Sequence, residues 1–408
     1  MQQHVLLIGG GGMIDKQEIT YWNNRPSDGI KVDWQKVRDT YRKIVPKKYH
    51  GIIDHYAFEN YAYNIMCSER TGYKSTQVLL IGLIVYQMYG VQLEYFRLTE
   101  DDCTPKKIST VYNPIIENGY LDKIFGDEWN DIQYRGGYYR LIHRDEDGKP
   151  DLVCSDYITH VIANDQPDDY KSSYNTIRGD LIFFDEFVAI RSRPLAYEYF
   201  RQNLTTVLRK RLHGVIFMAA NNINFNNDFY ADFGIRRDLR ELDPNGDAAV
   251  IDKNGTKFYV QILKPDTSKE KQRYNTKYFG YAEGRAAAIT GGKWQMYDYP
   301  HIKPAWSKSE PLLRNFYISN LGDLLRLTLV SPDDIGLIVL VTPATRVYDD
   351  SRIFTVGEIY DRRYIYKCGT QNAAYSALWI LYKRNRWYYA TNEAGELVQA
   401  FIDAAARL

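Results

Sequence analysis

Cys67-Ser68-Glu69-Arg70-Thr71-Gly72-Tyr73-Lys74-Ser75-Thr76 is the stretch whose reading decides the fold. It follows an aromatic and apolar run, residues 61–66, and opens into a second, residues 78–86. That pattern predicts a strand, a polar turn and a helix. A Lys-Ser pair at the mouth of such a helix is the centre of a phosphate-binding loop, in which backbone N–H groups cradle phosphate oxygens and the first-turn dipole favours the anion. Lys74 then reaches the β/γ-phosphates of ATP, and the Ser75 hydroxyl is placed for Mg²⁺. The spacing departs from G-x-x-x-x-G-K-[ST]: Ser68 stands at the first glycine, Tyr73 at the second, and Gly72 falls one place early. Alone, the stretch reads equally well as a surface turn with one solvated lysine.

A second stretch changes the balance. Asp180-Leu181-Ile182-Phe183-Phe184-Asp185-Glu186-Phe187 is a short apolar run ending in two carboxylates, the pattern of a buried strand with an acidic end. In an ATPase of this loop type the first acid, here Asp185, supports Mg²⁺, and the second, Glu186, orients and deprotonates the attacking water. Acids that merely cap the next helix are the alternative. It explains either stretch alone, but less well both stretches in this order with a strand signal before each.

With 408 residues the chain has room for two or three domains. Hydrophobic content of 45% and charged content of 25% are ordinary for a globular protein. A net charge of +1 supplies no overall field toward nucleic acid, so such binding requires local patches. Cys67, Cys103, Cys154 and Cys368 are far apart, which suits a reducing compartment and offers no zinc site. No apolar run has the length of a membrane span, and the expectation is a soluble, cytoplasmic protein.

Residues 1–12 end in four glycines. Residues 5–10 resemble the first strand and turn of a dinucleotide fold, but no apolar helix follows, and a flexible leader, or an extension ahead of a natural start at Met13, is expected. Trp34, Val37, Tyr41 and Ile44 mark an amphipathic helix with Asp33 as N-cap and Pro46 as its stop. After the loop, residues 78–89 form a buried helix ended by Gly90, and residues 91–98 a strand, giving a β-α-β unit. Arg97 leaves that strand on the loop side, where it meets nucleotide phosphates, pairs with an acid, or is simply solvated. Residues 112–125 read as helical, 131–144 as a strand pair turning at Gly136-Gly137, 157–163 as a strand and 164–179 as a mobile loop. A helix over 195–211 ends in Arg209-Lys210-Arg211, and strand 215–220 ends in Asn221-Asn222. Polar amides at that position sense hydrolysis and couple it to movement, although Asn-rich turns are common without that role. Residues 257–263 close the first domain.

From about residue 305 the character changes. Residues 316–319, 324–330, 337–342 and 352–359 read as successive strands, and 397–406 as a last helix. Arg362, Arg363, Lys367, Lys383, Arg384 and Arg386 alternate with Tyr360, Tyr364, Tyr366, Tyr382, Trp387, Tyr388 and Tyr389. Cations with aromatics grip a phosphate backbone and stack on bases. A solvated face with its aromatics turned into the core has the same composition.

With these residues in view, the chain resembles the DNA-packaging ATPases of small tailed phages, compact relatives of the large terminase subunit, from about residue 50 to the C-terminus. The resemblance is firmest at residues 68–75, Tyr95-Phe96-Arg97, residues 181–187, residues 206–211 and Ala220-Asn221-Asn222. It implies an α/β chain in four parts: an N-terminal extension with an amphipathic helix (1–50), a P-loop ATPase sheet domain of the ASCE type (51–265), a short helical linker (266–304), and an α+β ribonuclease-H-like domain (305–408). It implies that Ser68, Arg70, Thr71, Gly72, Tyr73, Lys74, Ser75, Thr76 and Arg97 face nucleotide, with Ser75 and Asp185 on the metal. It also implies a homo-oligomeric ring, a pentamer or close to it, on the procapsid portal in the host cytoplasm. ATP would lie between subunits, with Arg209 or Arg211 supplied in trans. In large terminases the last domain cuts DNA with clustered carboxylates on two metals. Here strands 316–319 and 337–342 hold no acid, and Asp323, Asp333, Asp334, Asp349 and Asp350 fall mostly in expected turns. A nuclease-like shape without nuclease chemistry is expected, acting in an ATP-driven translocase of double-stranded DNA. The alternatives are a terminase with an active endonuclease and a non-catalytic nucleic-acid-binding structural protein.

Overall fold

The computed structural model describes residues 4–6, 17–20, 30–54, 58–68, 73–154, 156–167, 180–188, 195–209, 211–221, 227–240, 242, 247–262, 269, 273, 276–277, 299–312, 316–348, 351–357, 359–366 and 373–405. The chain divides into two compact units. The first holds Met1–Val188, Glu198–Asn222 and Glu241–Lys293, and the second Ala189–Tyr197, Ile223–Arg240 and Trp294–Leu408. Two segments from within the range 51–265 therefore group with the C-terminal unit.

The first unit is built from β1 (His4–Leu6), β2 (Gln17–Thr20), α1 (Trp34–Ile44), β3 (Tyr63–Ser68), α2 (Lys74–Tyr89), β4 (Leu93–Arg97), β5 (Asp131–Arg135), β6 (Tyr138–Arg144), β7 (Pro150–Cys154), β8 (Thr159–Ala163), β9 (Leu181–Asp185), α3 (Ala196–Leu208, from Glu198 onward), β10 (Val215–Asn221), β11 (Ala248–Lys253) and β12 (Thr256–Ile262). Its sheet runs β1-β2-β7-β6-β8-β4-β9-β10-β3-β12-β11, with β5 paired to β6. The centre, β8-β4-β9-β10-β3-β12, is parallel throughout. Parallel strands covered on both faces read as continuous apolar runs, and β9 is buried at every position. β10 lies between β3 and β9, which is the strand order of the expected ASCE-type sheet. β3 and β4 are thus separated by two strands rather than being neighbours.

α2 is apolar on nearly every side because it fills the space between the sheet and α1: Val78, Leu80, Ile81, Ile84 and Val85 are fully buried, in one cluster with Trp34, Val37 and Tyr41 of α1. Asp33 caps α1 as expected, accepting from the Lys36 N–H, and Gly90 closes α2 at φ +64°, a conformation that costs glycine nothing. Gly136 and Gly137 turn β5 into β6 at φ +59° and +88°. The expected helix over 112–125 is two short ones, Asn113–Glu117 and Tyr120–Phe125, because Gly119 between them takes φ +64°.

The leader expectation is corrected in part. β1 and β2 pair antiparallel, and β2 adds in parallel to β7; the edge of β7 offers the backbone partners that a free leader would lack. Of the expected loop 164–179, residues 168–179 lie outside the described residues, as does the glycine-rich part of the linker, 278–298. Among the described residues no helix is long and apolar enough to cross a membrane.

The second unit contains α4 (Asp228–Asp232), α5 (Arg236–Arg240), β13 (Phe316–Asn320), β14 (Asp323–Val330), β15 (Ile338–Ala344), β16 (Arg352–Thr355), β17 (Tyr364–Tyr366), α6 (Ala373–Lys383), β18 (Trp387–Tyr389) and α7 (Asn392–Ala405). Its sheet runs β17-β16-β13-β14-β15-β18. β13-β14 and β14-β15 are antiparallel, while β13-β16 and β16-β17 are parallel. Numbered from β13, the first five strands lie 3-2-1-4-5, the ribonuclease-H-like order; β18 is an added strand parallel to β15. Trp379, Trp387, Phe354 and Phe401 fill the core beside this sheet.

Phe183 is fully buried and its ring lies 5.5 Å from that of Tyr95. Phe183→Ala is expected to lower unfolding stability by ~3–5 kcal/mol through the cavity it leaves. Chemical denaturation of the purified protein measures this, and a loss below ~1 kcal/mol would contradict the packing described.

Candidate functional site

The site follows from strand register. Asn221 of β10 lies opposite Ser68 of β3, and Ala219 of β10 opposite Asp185 of β9. Three parallel strands therefore end together, where open α/β sheets place their ligands. A cleft of 610 Å³ sits there, lined by Tyr73, Lys74, Ser75, Thr76, Asp185, Glu186, Ala219, Ala220 and Asn221. The two stretches quoted from the sequence thus meet in one pocket.

Within it, Lys74 curls back on the strand end and donates to Ser68 Oγ at 2.5 Å and Ser68 O at 3.3 Å. The Ser75 hydroxyl lies 3.0 Å from both oxygens of Asp185. Tyr95 donates its O–H to Asp185 Oδ2 at 2.9 Å. Arg97 ion-pairs with Asp185 at 3.3 Å and with Glu186 at 2.8 Å. Of the three fates open to Arg97, the structure shows pairing with acids. Burial pushes the Asp185 carboxyl above its usual range, against the opposing pull of Arg97 and the Tyr95 and Ser75 hydrogen bonds. Burial also pushes the Tyr95 phenol well up. For Arg97, burial pulls the pKa down, but the surrounding Tyr95, Asp185 and Glu186 outweigh it and hold the guanidinium charged.

Backbone strain gathers here. Tyr73 and Glu186, both lining the cleft, have positive φ, at 50° and 52°, a region that bulky residues rarely occupy and that clusters at functional sites. Tyr73, standing where the motif has glycine, keeps its ring 55% exposed and edge-on to Tyr49 at 4.8 Å.

The donor set fits a polyphosphate with a hard cation. Lys74 and the first turn of α2 supply positive ends for an anion, and Arg97 Nε is buried with no partner among the described residues. Ser75 and Asp185 offer oxygens for a divalent cation. Among the described residues no group of three or more His, Cys, Asp or Glu could hold a metal unaided.

Arg209 and Arg211 separate. Arg209 follows α3 and is exposed. The Arg211 side chain is 6% exposed and its Nε lies 3.1 Å from Asp180 Oδ1, itself on a side chain 2% exposed. Breaking such a buried pair from one side costs ~3–5 kcal/mol, so the geometry commits Arg211 to this subunit. Arg70, Thr71, Gly72, Asn222 and Lys367 lie outside the described residues.

In the second unit Arg362, Lys383 and Arg384 are exposed. Arg363 pairs with Asp361 at 2.6 Å, and Arg386 donates to the Ile335 carbonyl at 3.0 Å. Of the interleaved aromatics, Tyr360 is 72% exposed, whereas Trp387 and Tyr389 are buried; those two belong to the core rather than to a stacking surface. Asp323 is held by Arg236 and Arg237, and Asp334 accepts from the Trp306 indole at 2.9 Å. Asp349 and Asp350 lie outside the described residues. The sequence reading gave no role to Tyr95 or Asp180. The signal for Tyr95 was its place two residues before Arg97, on the same face of a strand.

No family model matches the sequence, and no curated protein matches it. By structure the chain is similar to the Phi-28 gp11 DNA packaging motor, with TM-score 0.53 and 14% identity over 85% of this chain and 95% of that one. It is also similar to a chain of the bacteriophage Phi-29 viral genome packaging motor assembly, with TM-score 0.52 and 15% identity over 84% of this chain and 96% of that one. At these identities the likeness is one of fold, and it spans both units.

Tyr95→Phe removes a donor to the charged form of Asp185. Its carboxyl, already above 3.8, is expected to titrate at still higher pH in the variant, followed by carboxyl carbon NMR. Because the folded value is raised, Asp185 favours the folded state below the unfolded pKa and loses that contribution as pH rises through the folded one. A lower titration point in Tyr95→Phe would refute the hydrogen-bond assignment.

Proposed function

We propose that the protein is an ATP-hydrolysing motor that translocates double-stranded DNA into a phage procapsid. The observation that carries this reading is the meeting of Lys74, Ser75, Asp185 and Glu186 in one cleft at the strand ends, on a fold shared with the Phi-28 gp11 DNA packaging motor and the Phi-29 viral genome packaging motor assembly.

Lys74 and the backbone amides of the first turn of α2 hold the β- and γ-phosphates. Ser75 and Asp185 would hold Mg²⁺, which when bound would supply charge neutralisation on the phosphate oxygens. Glu186 accepts a proton from the attacking water. Arg97, now paired to both acids, keeps them ordered until phosphate oxygens compete for its guanidinium. Arg209 is the arginine that reaches a neighbouring subunit's γ-phosphoryl group, because it is exposed while Arg211 is committed to Asp180. Asn221, at the end of β10 inside the cleft, reports loss of the γ-phosphate. Arg362, Arg363, Lys367, Lys383, Arg384 and Arg386 supply the basic surface for DNA. The working form is a homo-oligomeric ring, a pentamer or close to it, docked transiently on the procapsid portal in the host cytoplasm.

An active endonuclease is the second reading. Against it, Asp323 is ion-paired to two arginines and its neighbour in sequence space, strand β13, carries no acid. Cleavage of plasmid DNA with Mn²⁺, lost on changing Asp323, would favour that reading, and failure to bind ATP at millimolar Mg²⁺ a non-catalytic structural protein.

Glu186→Gln is expected to leave ATP binding intact and lower turnover by about 10²–10⁴-fold, the usual worth of a general base. Phosphate release and binding of a slowly hydrolysed ATP analogue measure the two quantities. Turnover unchanged in this variant would overturn the assignment.

A further inference from the structure

Two arginines two positions apart, Arg209 and Arg211, stand in opposite surroundings, and that difference carries a structural consequence. We infer that Asp180 and Arg211 are a positioning pair that fixes where Arg209 is presented, tying the trans-acting arginine to the strand that bears the catalytic acids. The inference rests on the reading in which Arg209 serves a neighbouring subunit.

Arg211 Nε contacts Asp180 Oδ1 at 3.1 Å, and its guanidinium also donates to the Val207 and Leu208 carbonyls. Those carbonyls belong to the last turn of α3, which has no intrahelical donors for them. One buried side chain thus caps the helix and binds its end to Asp180. Asp180 is itself fixed from two other directions: Oδ2 accepts the Ile30 N–H at 3.0 Å, and its carbonyl accepts the Val215 N–H at 2.9 Å. It directly precedes β9, the strand that ends at Asp185.

A helix held at one point can still rotate about it. α3 is held at a second. Asn203, buried in its middle, donates to the Asn164 carbonyl at 3.1 Å, and the Asn164 N–H donates to the Arg97 carbonyl at 2.9 Å. The two contacts fix α3 against the start of β9 and against the strand end beside Arg97. Arg209, with its N–H on Thr205 O at 3.0 Å and φ +50°, leaves this fixed helix end at a set angle. A displacement of about 1 Å in a group that touches a transition state costs on the order of 10²-fold, so this fixing governs turnover in the adjacent subunit.

The test compares Arg209→Ala, Arg211→Ala, Arg211→Lys and Asp180→Asn in the assembled full-length protein, reading kcat and KM for ATP, analogue binding and circular dichroism. Arg211→Ala and Asp180→Asn are expected to lower kcat about 10–100-fold with KM nearly unchanged, and Arg211→Lys to recover part of it. Mixing supplies the readout that a merely structural role would not move. Lys74→Ala subunits have a dead pocket but a correctly presented Arg209, so adding them to Arg211→Ala subunits should restore turnover at the Arg211→Ala pockets. No restoration on mixing, or wild-type kcat in Arg211→Ala, overturns the inference. If Arg211→Ala does not fold, the mixing is read with Asp180→Asn in its place. Full turnover in Arg209→Ala sinks the functional reading itself; an inactive Arg209→Ala beside a fully active Arg211→Ala sinks only the positioning pair.

Discussion

The carboxylate of Asp185 is the point on which the first unit converges. It is buried, and burial opposes its charge, so it persists as a carboxylate only with donors around it. Three supply them: Ser75 from the first turn of α2, and Tyr95 and Arg97 from the end of β4. None of these is near Asp185 in sequence. They meet because β3, β10, β9 and β4 are parallel and finish at the same edge. Shifting any one strand by a residue would turn its side chains to the opposite face and leave a buried charge without partners. The apolar registration of the sheet and the polar chemistry at its edge are one constraint seen from two sides.

The candidate site also combines regular elements with strained backbone. The first turn of α2 and the end of β9 lie within well-packed elements, while Tyr73 and Glu186 hold strained backbone at the two sides of the cleft. Strained residues persist only where the surroundings over-determine them. At Glu186 the determinants are the Arg97 guanidinium on the side chain and the Phe187 N–H, which donates to the Ala219 carbonyl.

Much of this was legible in the sequence where one strong local signal sufficed. The continuous run of residues 181–184 needs two buried faces, and it has them. Asp33 before an amphipathic repeat caps a helix because its side chain can reach an N–H three residues on. The 3-2-1 part of the second sheet was marked by the successive apolar runs at residues 316–319, 324–330 and 337–342. What was not legible depended on partners elsewhere in the chain. β7 is held between β6 and β2, and β11 extends the sheet edge at β12. β17 and β18 are three residues each and exist through pairing with β16 and β15. Arg209 and Arg211 look alike until Asp180 takes one of them. Trp387, Tyr389 and Tyr360 share a composition, and only packing decides which of them turn inward.

The division of the chain carries a last consequence for anyone wishing to take the molecule apart. Ala189–Tyr197 and Ile223–Arg240 depart directly after the acid-bearing strand and after Asn221, and both are counted with the C-terminal unit. Tyr197 packs edge-on against Phe229 and Phe233, and Arg236 from the same excursion neutralises Asp323 of β14. A gene cut anywhere between residues 265 and 305 therefore separates no natural halves. The downstream product would be missing two of its own pieces, with an orphaned aspartate at the start of its second strand, and the upstream product would carry loose aromatic ends that invite self-association.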